Sequence, residues 1–85
     1  VGDKVTGMLG TQEYAVAEGA ELTRVDLSMA PLTTWLGGLG LTGLTAYFGL
    51  EEVGRPRPGE TVVVTAASGA VGSVAGQLAR IKGAR

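Results

Sequence analysis

The spacing of apolar residues divides the chain into three segments. In residues 1–27, apolar side chains stand singly among glycine, threonine and acidic residues. Residues 14–17 (Tyr-Ala-Val-Ala) alternate as a half-buried strand does, and residues 1–5 are typical of the entrance to another strand. This first segment is therefore predicted to be β structure joined by loops.

Residues 28–53 are mostly apolar and rich in glycine. Ser28 is a candidate N-cap, and Pro31 suits the first turn of a helix. Gly37, Gly40 and Gly43 recur every three residues, which leaves two interpretations open. They could form one face of a helix that another backbone approaches closely, at about 1 kcal/mol of helix stability per glycine. They could instead break the helix into two pieces.

Residues 27–50 contain no charge, and this stretch is long enough to span a bilayer. Pro31, four threonines and five glycines interrupt it, so a buried helix is the preferred interpretation. Leu44, Tyr47 and Phe48 would form the apolar face of that helix.

Residues 55–85 carry the clearest pattern. A turn at 56–59 precedes residues 61–65, a β-branched run without alternation that is typical of a parallel strand buried on both faces. Farther along, apolar residues recur at helical spacing, and Gly83 is a typical helix stop. The apolar stripe consists of Val71, Val74, Leu78 and Ile81. The order strand, tight turn, helix is predicted here.

The turn between this strand and helix has the sequence Ala67-Ser68-Gly69-Ala70-Val71-Gly72. It is the dinucleotide-binding fingerprint with alanine in place of the first glycine. Ala67 would make the tight turn out of the strand, Gly69 would let a pyrophosphate approach the backbone, and Gly72 would let the helix pack closely. The free N–H groups of residues 70–72 would then face the phosphates at the positive end of the helix.

An ordinary strand-to-helix turn is the alternative interpretation of the same residues. The buried type of strand before the turn and the amphipathic helix after it favour pyrophosphate binding. The residue that contacts the ribose is expected about 20 residues after the start of the motif, beyond Arg85. The sequence therefore leaves open whether the ribose carries a 2′-phosphate.

The composition narrows the candidate chemistry. The net charge is -1, and there is no cysteine and no histidine. The chain thus offers no basic patch for nucleic acid, no disulfide framework and no Cys- or His-based metal site. The candidate hydroxyl groups for a role at a reaction centre are those of Tyr14, Tyr47 and Thr45. For each of them a structural role is the more common one. No catalytic residue is assigned.

Two blocks of the sequence resemble a known superfamily. Residues 40–50 (GLTGLTAYFGL) and 59–79 (GETVVVTAASGAVGSVAGQLA) resemble the medium-chain dehydrogenase/reductases. Within that superfamily the chain resembles the zinc-independent, NADPH-dependent alkenal and enone reductases, which include prostaglandin reductases (leukotriene B4 12-hydroxydehydrogenases) and plant double-bond reductases. Residues 2–7 and Tyr14 resemble a late strand of the catalytic domain and the aromatic residue that follows it.

The resemblance implies an α/β fragment of a longer protein, cut at both ends. Residues 1–30 would be the C-terminal part of a GroES-like catalytic domain, residues 31–54 a connecting helix region, and residues 55–85 the start of a Rossmann NAD(P)-binding domain. The turn from Ala66 to Gly72 would hold the pyrophosphate, and Thr45 would lie near the nicotinamide. Leu41 or its neighbour stands where zinc-dependent relatives have a cysteine ligand, so no metal site is expected.

The resemblance also implies a cytoplasmic homodimer that transfers hydride from NADPH to the β-carbon of an α,β-unsaturated aldehyde or ketone, with no nucleic-acid or membrane partner. A zinc-free quinone oxidoreductase and the enoyl-reductase domain of a polyketide synthase are alternatives within the superfamily. A non-catalytic nucleotide-binding or structural module is the alternative of another class. The isolated chain is expected to be unstable or to aggregate, because residues 62–64 would expose an unpaired strand.

Overall fold

The computed structural model describes residues 1–85 and contains both helices and short strands. In chain order the elements are β1 (Val5–Thr6), a 3-10 turn (Gly19–Glu21), β2 (Thr23–Arg24), α1 (Leu32–Leu36), α2 (Leu41–Phe48), a π-helical turn (Gly49–Gly54) and α3 (Ala70–Ile81). The mixture of helix and strand predicted from the sequence is confirmed. None of the helices has both the length and the apolar character that a membrane crossing requires.

The strands β1 and β2 form a two-stranded antiparallel sheet in which Val5 pairs with Arg24. The N–H of Val25 donates to the carbonyl of Lys4 at 2.8 Å and extends this pairing by one bond. Val25 is also one of the few buried side chains of the chain. The strand predicted from residues 1–5 is therefore confirmed, and it starts at Val5.

The strand predicted over residues 14–17 is wrong. Those residues have no regular structure, and the side chains of Tyr14 and Val16 are fully accessible at 88% and 103% exposure. A strand is held by hydrogen bonds to a neighbouring strand, and no backbone hydrogen bond joins residues 14–17 to another segment. The alternation of apolar and polar side chains in residues 14–17 does not show whether a neighbouring strand is present.

The helical region begins later than Ser28, the residue predicted to cap it. The hydroxyl and the N–H of Ser28 donate instead to Oδ1 of Asp26, at 2.6 and 2.9 Å. The hydrogen bond from the Ser28 hydroxyl is the main cause that holds the pKa of Asp26 below its ordinary value. A local turn with Asp26 thus replaces the predicted cap, and α1 begins directly after Pro31.

Glycines divide the helical region into two pieces, as one of the two interpretations predicted. α1 ends at Leu36 and α2 begins at Leu41, with a turn over residues 37–40 between them. The hydroxyl of Thr42 donates to the carbonyl of Gly37 at 2.7 Å. The same carbonyl accepts the N–H of Gly40 at 2.9 Å, so the Thr42 hydroxyl adds a second bond that ties the turn to the beginning of α2.

The other interpretation, that the glycines let another backbone approach closely, also describes part of the geometry. Backbone atoms lie close to two of them. A Cβ on Gly43 would collide with the carbonyl oxygen of Gly38, and a Cβ on Gly40 would collide with that of Trp35. Only glycine fits at either position while the turn folds back against α2. The same residues therefore end one helix and let the connection pack tightly on the next.

The helices α2 and α3 pack against each other, and the residues that they bury are small. Ala46 of α2 and Ala79 of α3 are buried, and so is Gly43. Larger apolar side chains line a groove beside this contact, and they are Leu44, Tyr47, Val74 and Leu78.

The end of α3 is fixed by an ion pair and by a left-handed residue. Nζ of Lys82 lies 2.6 Å from Oε1 of Glu51 in the π-helical turn, and both side chains are partly buried. Gly83 follows with a φ of 82°, as expected for the predicted helix stop. The carbonyl of Gly83 then accepts a hydrogen bond from the N–H of Gly59 at 2.8 Å.

The strand predicted over residues 61–65 is not formed. Two hydrogen bonds hold its beginning: Arg85 donates its N–H to the carbonyl of Glu60 at 2.9 Å and accepts the N–H of Val62 at 2.8 Å. The expectation of two buried faces is also wrong, because Val63 is 83% exposed. Val62 and Val64 lie beside α3, and a segment covered on one face without a full-length neighbour is not a sheet strand.

Little of the chain is buried. Four of its 85 residues are buried, and its radius of gyration is 15.8 Å, against about 12 Å for a compact domain of this length. Burial of apolar surface is what offsets the loss of conformational entropy, so this low burial supports the expectation that the chain is unstable alone.

We expect the chain, produced alone, to show no cooperative thermal transition and to associate through its exposed apolar side chains. Calorimetry and light scattering on the isolated chain measure this directly. The full-length protein that carries the chain is the control and should unfold cooperatively. A sharp transition in a monomeric sample of the isolated chain would contradict the expectation.

Candidate functional site

The turn before α3 is built around an alanine in an unusual conformation. Ala66 has a φ of 51°, in the left-handed region that favours glycine. Its carbonyl accepts the N–H of Gly69 at 2.9 Å, and this bond closes the turn. Ala67 lies inside the turn that this bond closes, as predicted, and the left-handed residue stands one position before it.

Gly72 allows the first turn of α3 to lie directly on the backbone of Ala66 and Ala67. A Cβ on Gly72 would collide with the carbonyl oxygen of Ala66 and would lie 3.0 Å from its carbonyl carbon and 3.1 Å from Cα of Ala67. The close packing predicted for Gly72 is therefore present. Its neighbour is the turn at residues 66–67, just after the segment that was predicted to be a strand.

Three N–H groups at the start of α3 have no acceptor within the chain. They belong to Ala70, Val71 and Gly72, whereas the N–H of Ser73 donates to the carbonyl of Gly69 at 2.9 Å. No side chain caps this end of the helix. The first N–H groups of a helix carry a partial positive charge, so this arrangement can bind an anion without a basic side chain.

Gly69 leaves open space beside these donors. A Cβ on Gly69 would lie 3.1 Å from the carbonyl oxygen of Ala66, and no further atom outside its chain neighbours lies within 4 Å of that position. Ser68 precedes it with an exposed side chain. The predicted site residues 67–72 are thus brought together in one turn whose outer side is free, as an approaching phosphate group requires.

Thr45 stands apart from this turn, on α2. Its side chain is exposed, and its hydroxyl donates to the carbonyl of Leu41 at 2.7 Å, one helical turn earlier. Tyr47, on the same helix, is half-exposed with its ring 5.5 Å from that of Phe48 in an edge-to-face arrangement. The roles suggested for these hydroxyls stay predictions. No three carboxylates of the chain cluster as metal ligands would.

The chain is similar in sequence to known reductases along nearly its whole length. It is 57% identical over 84 residues to YfmJ of Bacillus subtilis (strain 168), covering 99% of this chain and 25% of YfmJ. It is 46% identical over 83 residues to the NADP(+)-dependent 2-alkenal reductase of Nicotiana tabacum, covering 96% of this chain and 24% of that enzyme. No family model matches the chain.

A solved structure shows the same arrangement of elements. CurA from Vibrio vulnificus, crystallised in complex with NADPH, matches 87% of this chain and 22% of its own, with a TM-score of 0.75 and 43% sequence identity. Taken with the sequence matches, the chain spans about a quarter of the length of the relatives it matches.

The chain is thus homologous to a segment of NADP-dependent oxidoreductases. Within that class it is similar to a 2-alkenal reductase, which confirms the resemblance drawn from residues 40–50 and 59–79.

The left-handed conformation of Ala66, on whose carbonyl the turn closes, was not predicted from the sequence. Ala66 precedes the fingerprint, and alanine is not a residue that a pattern assigns to positive φ. Gly69 and Gly72 were found from their spacing because their role depends on the missing Cβ. The role of Ala66 depends on its positive φ, and no side chain in this stretch predicts that angle.

We expect Gly72→Ala, in the full-length protein, to lower the free energy of unfolding by about 1–3 kcal/mol, because the added methyl group overpacks the contact with Ala66. Gly76→Ala is the matched control on the same helix, where a Cβ would meet no atom within 4 Å. It should raise stability by up to about 1 kcal/mol through helix propensity. Denaturant titration compares the two, and equal effects would contradict the packing described for Gly72.

Proposed function

We propose that residues 66–72 bind the pyrophosphate of NADPH. The observation that carries this proposal is the set of three unpaired N–H groups on residues 70–72 at the positive end of α3. Gly69 leaves room for phosphate oxygens beside them. The similarity to a CurA structure that contains NADPH supports this dinucleotide as the ligand.

The predicted site residues act mainly through the backbone in this proposal. Ala67 and Ser68 carry the chain around the phosphates, and the exposed hydroxyl of Ser68 is available to a cofactor oxygen. Ala70 and Val71 contribute their N–H groups, so their side chains are secondary. Thr45 would lie toward the nicotinamide, where its hydroxyl oxygen can still accept a hydrogen bond while its proton is held by Leu41.

The proposed reaction of the whole protein is the reduction of the C=C bond of α,β-unsaturated aldehydes and ketones. NADPH, when bound, supplies the hydride that reaches the β-carbon, and a proton completes the α-carbon. The 46% identity to a 2-alkenal reductase supports this substrate class. The share proposed for this chain is to bind and orient the cofactor, while other parts of the protein would stabilise the enolate oxygen.

The domain organisation implied by the resemblance forms part of the proposal. Residues 1–30 would end a GroES-like domain, residues 31–54 would connect, and residues 55–85 would begin a Rossmann domain. The alternating bonds of Arg85 with Glu60 and Val62 support this, because parallel strands pair in that way. The exposed face at Val63 supports it too, since both faces of a parallel sheet are covered in a complete domain.

A cytoplasmic homodimer is proposed on the resemblance alone. Light scattering of the purified full-length protein would give its mass in solution, and fractionation of the source cells would give its compartment. A monomer or a membrane-associated protein would remove this part of the proposal without touching the cofactor site.

We expect the full-length protein to oxidise NADPH in the presence of 2-alkenals and enones, and to do so faster than with quinones. Loss of the near-ultraviolet absorbance of NADPH measures the rate, and mass spectrometry identifies the saturated product. Faster turnover of quinones would favour the zinc-free quinone oxidoreductase. Binding of NADPH without turnover of any of these substrates would favour a non-catalytic nucleotide-binding module.

We expect Gly69→Ala to weaken NADPH binding by about tenfold, equivalent to about 1.4 kcal/mol, because the added Cβ occupies the space next to the phosphate and presses on the Ala66 carbonyl. Isothermal titration measures the affinity, and the thermal midpoint checks that the protein is folded. Gly76→Ala, farther along α3, should bind NADPH as the parent does. An unchanged affinity for Gly69→Ala would remove the turn from the cofactor site.

A further inference from the structure

The backbone of Ala66 is the most constrained part of the 66–72 turn. Its φ of 51° is in a region that costs an L-residue energy and that glycine enters freely. Fifteen glycines are used elsewhere in the chain, including two in this turn. The strained position is nevertheless occupied by alanine, and strained residues of this kind persist where the surrounding contacts fix them.

Two contacts fix the peptide group that follows Ala66. Its carbonyl oxygen accepts the N–H of Gly69 at 2.9 Å, and the same carbonyl lies where a side chain at Gly72 would be. The Ala66 carbonyl therefore accepts the hydrogen bond from Gly69 and packs against the first turn of α3. Its direction decides which N–H groups stay free for a ligand and how they are aligned.

An alanine restricts this peptide group more than a glycine would. At positive φ an alanine is confined to the small left-handed region, whereas glycine also has the mirror image of the β region open to it. The contacts with Gly69 and Gly72 hold the φ of Ala66 positive. Within that range, the methyl group of Ala66 prevents the peptide group that follows it from rotating to another orientation. Strain and rigidity thus have the same origin.

We propose that Ala66 is a positioning residue for the cofactor, and that its methyl group holds the N–H groups of residues 70–72 in the alignment that binds pyrophosphate. This inference rests on the proposed function of the turn. Within residues 66–72, the part of Ala66 in this proposal is indirect: it acts through the carbonyl that sets the geometry of the neighbouring donors. Binding to a turn that is already aligned loses less entropy, so the effect falls on affinity.

The test compares three variants of the full-length protein by NADPH titration and by thermal unfolding. Ala66→Gly should raise the Kd for NADPH about fivefold and raise the KM for NADPH in parallel, with kcat at saturating NADPH unchanged. Its Tm should stay level or rise, because the strain is relieved. Ala66→Asn keeps a Cβ and tolerates the left-handed region, so its Kd should stay within about twofold of the parent's.

Ala75→Gly, in the middle of α3, is the matched control: it should lower the Tm through helix propensity and leave the Kd unchanged. A Kd for Ala66→Gly equal to the parent's would overturn the positioning role while leaving the proposed site intact. Equal weakening in Ala66→Asn would also overturn it, because the Cβ would then not be the cause. A lower Tm in Ala66→Gly would contradict the strain, and a parent protein that does not bind NADPH would remove the site and the inference together.

Discussion

The arrangement of the turn depends on one steric constraint, the contact of the first turn of α3 with the backbone of residues 66 and 67. Gly72 is the residue that allows it, since any side chain there would meet the Ala66 carbonyl. The contact fixes where the helix starts, and the start of the helix fixes where three N–H groups point. The steric contact between backbone atoms thereby determines where the partial positive charge at the start of α3 faces outward.

The same kind of constraint recurs on α2. Gly43 is approached by the backbone of Gly38, and Gly40, just before α2, by the backbone at the end of α1. The ion pair of Lys82 with Glu51 adds a second connection at the far end of α3, so both ends of that helix are tied to other segments.

The sequence predicted the parts of this structure that depend on local chemistry. The helix after the turn, the stop at Gly83 and the close packing at Gly72 all follow from residues near one another in the chain. The predictions over residues 14–17 and 61–65 were wrong because a strand exists only with a hydrogen-bonded partner, and a pattern of apolar residues says nothing about whether that partner is present. Val63 shows this plainly, since a residue suited to burial lies exposed where no second layer covers it.

The candidate site was predicted as a set of residues but not as a geometry. Spacing identified Gly69 and Gly72, and the left-handed Ala66 went unseen because its conformation is set by contacts across the turn. Since the donors on residues 70–72 are main-chain amides, they hold no proton that titrates in the ordinary range, and the diester of a pyrophosphate keeps its charge across that range as well. The dinucleotide contact proposed for this turn would therefore not vary with pH, and a pH dependence of the proposed reaction would have to originate in groups that meet the ribose, the nicotinamide or the substrate.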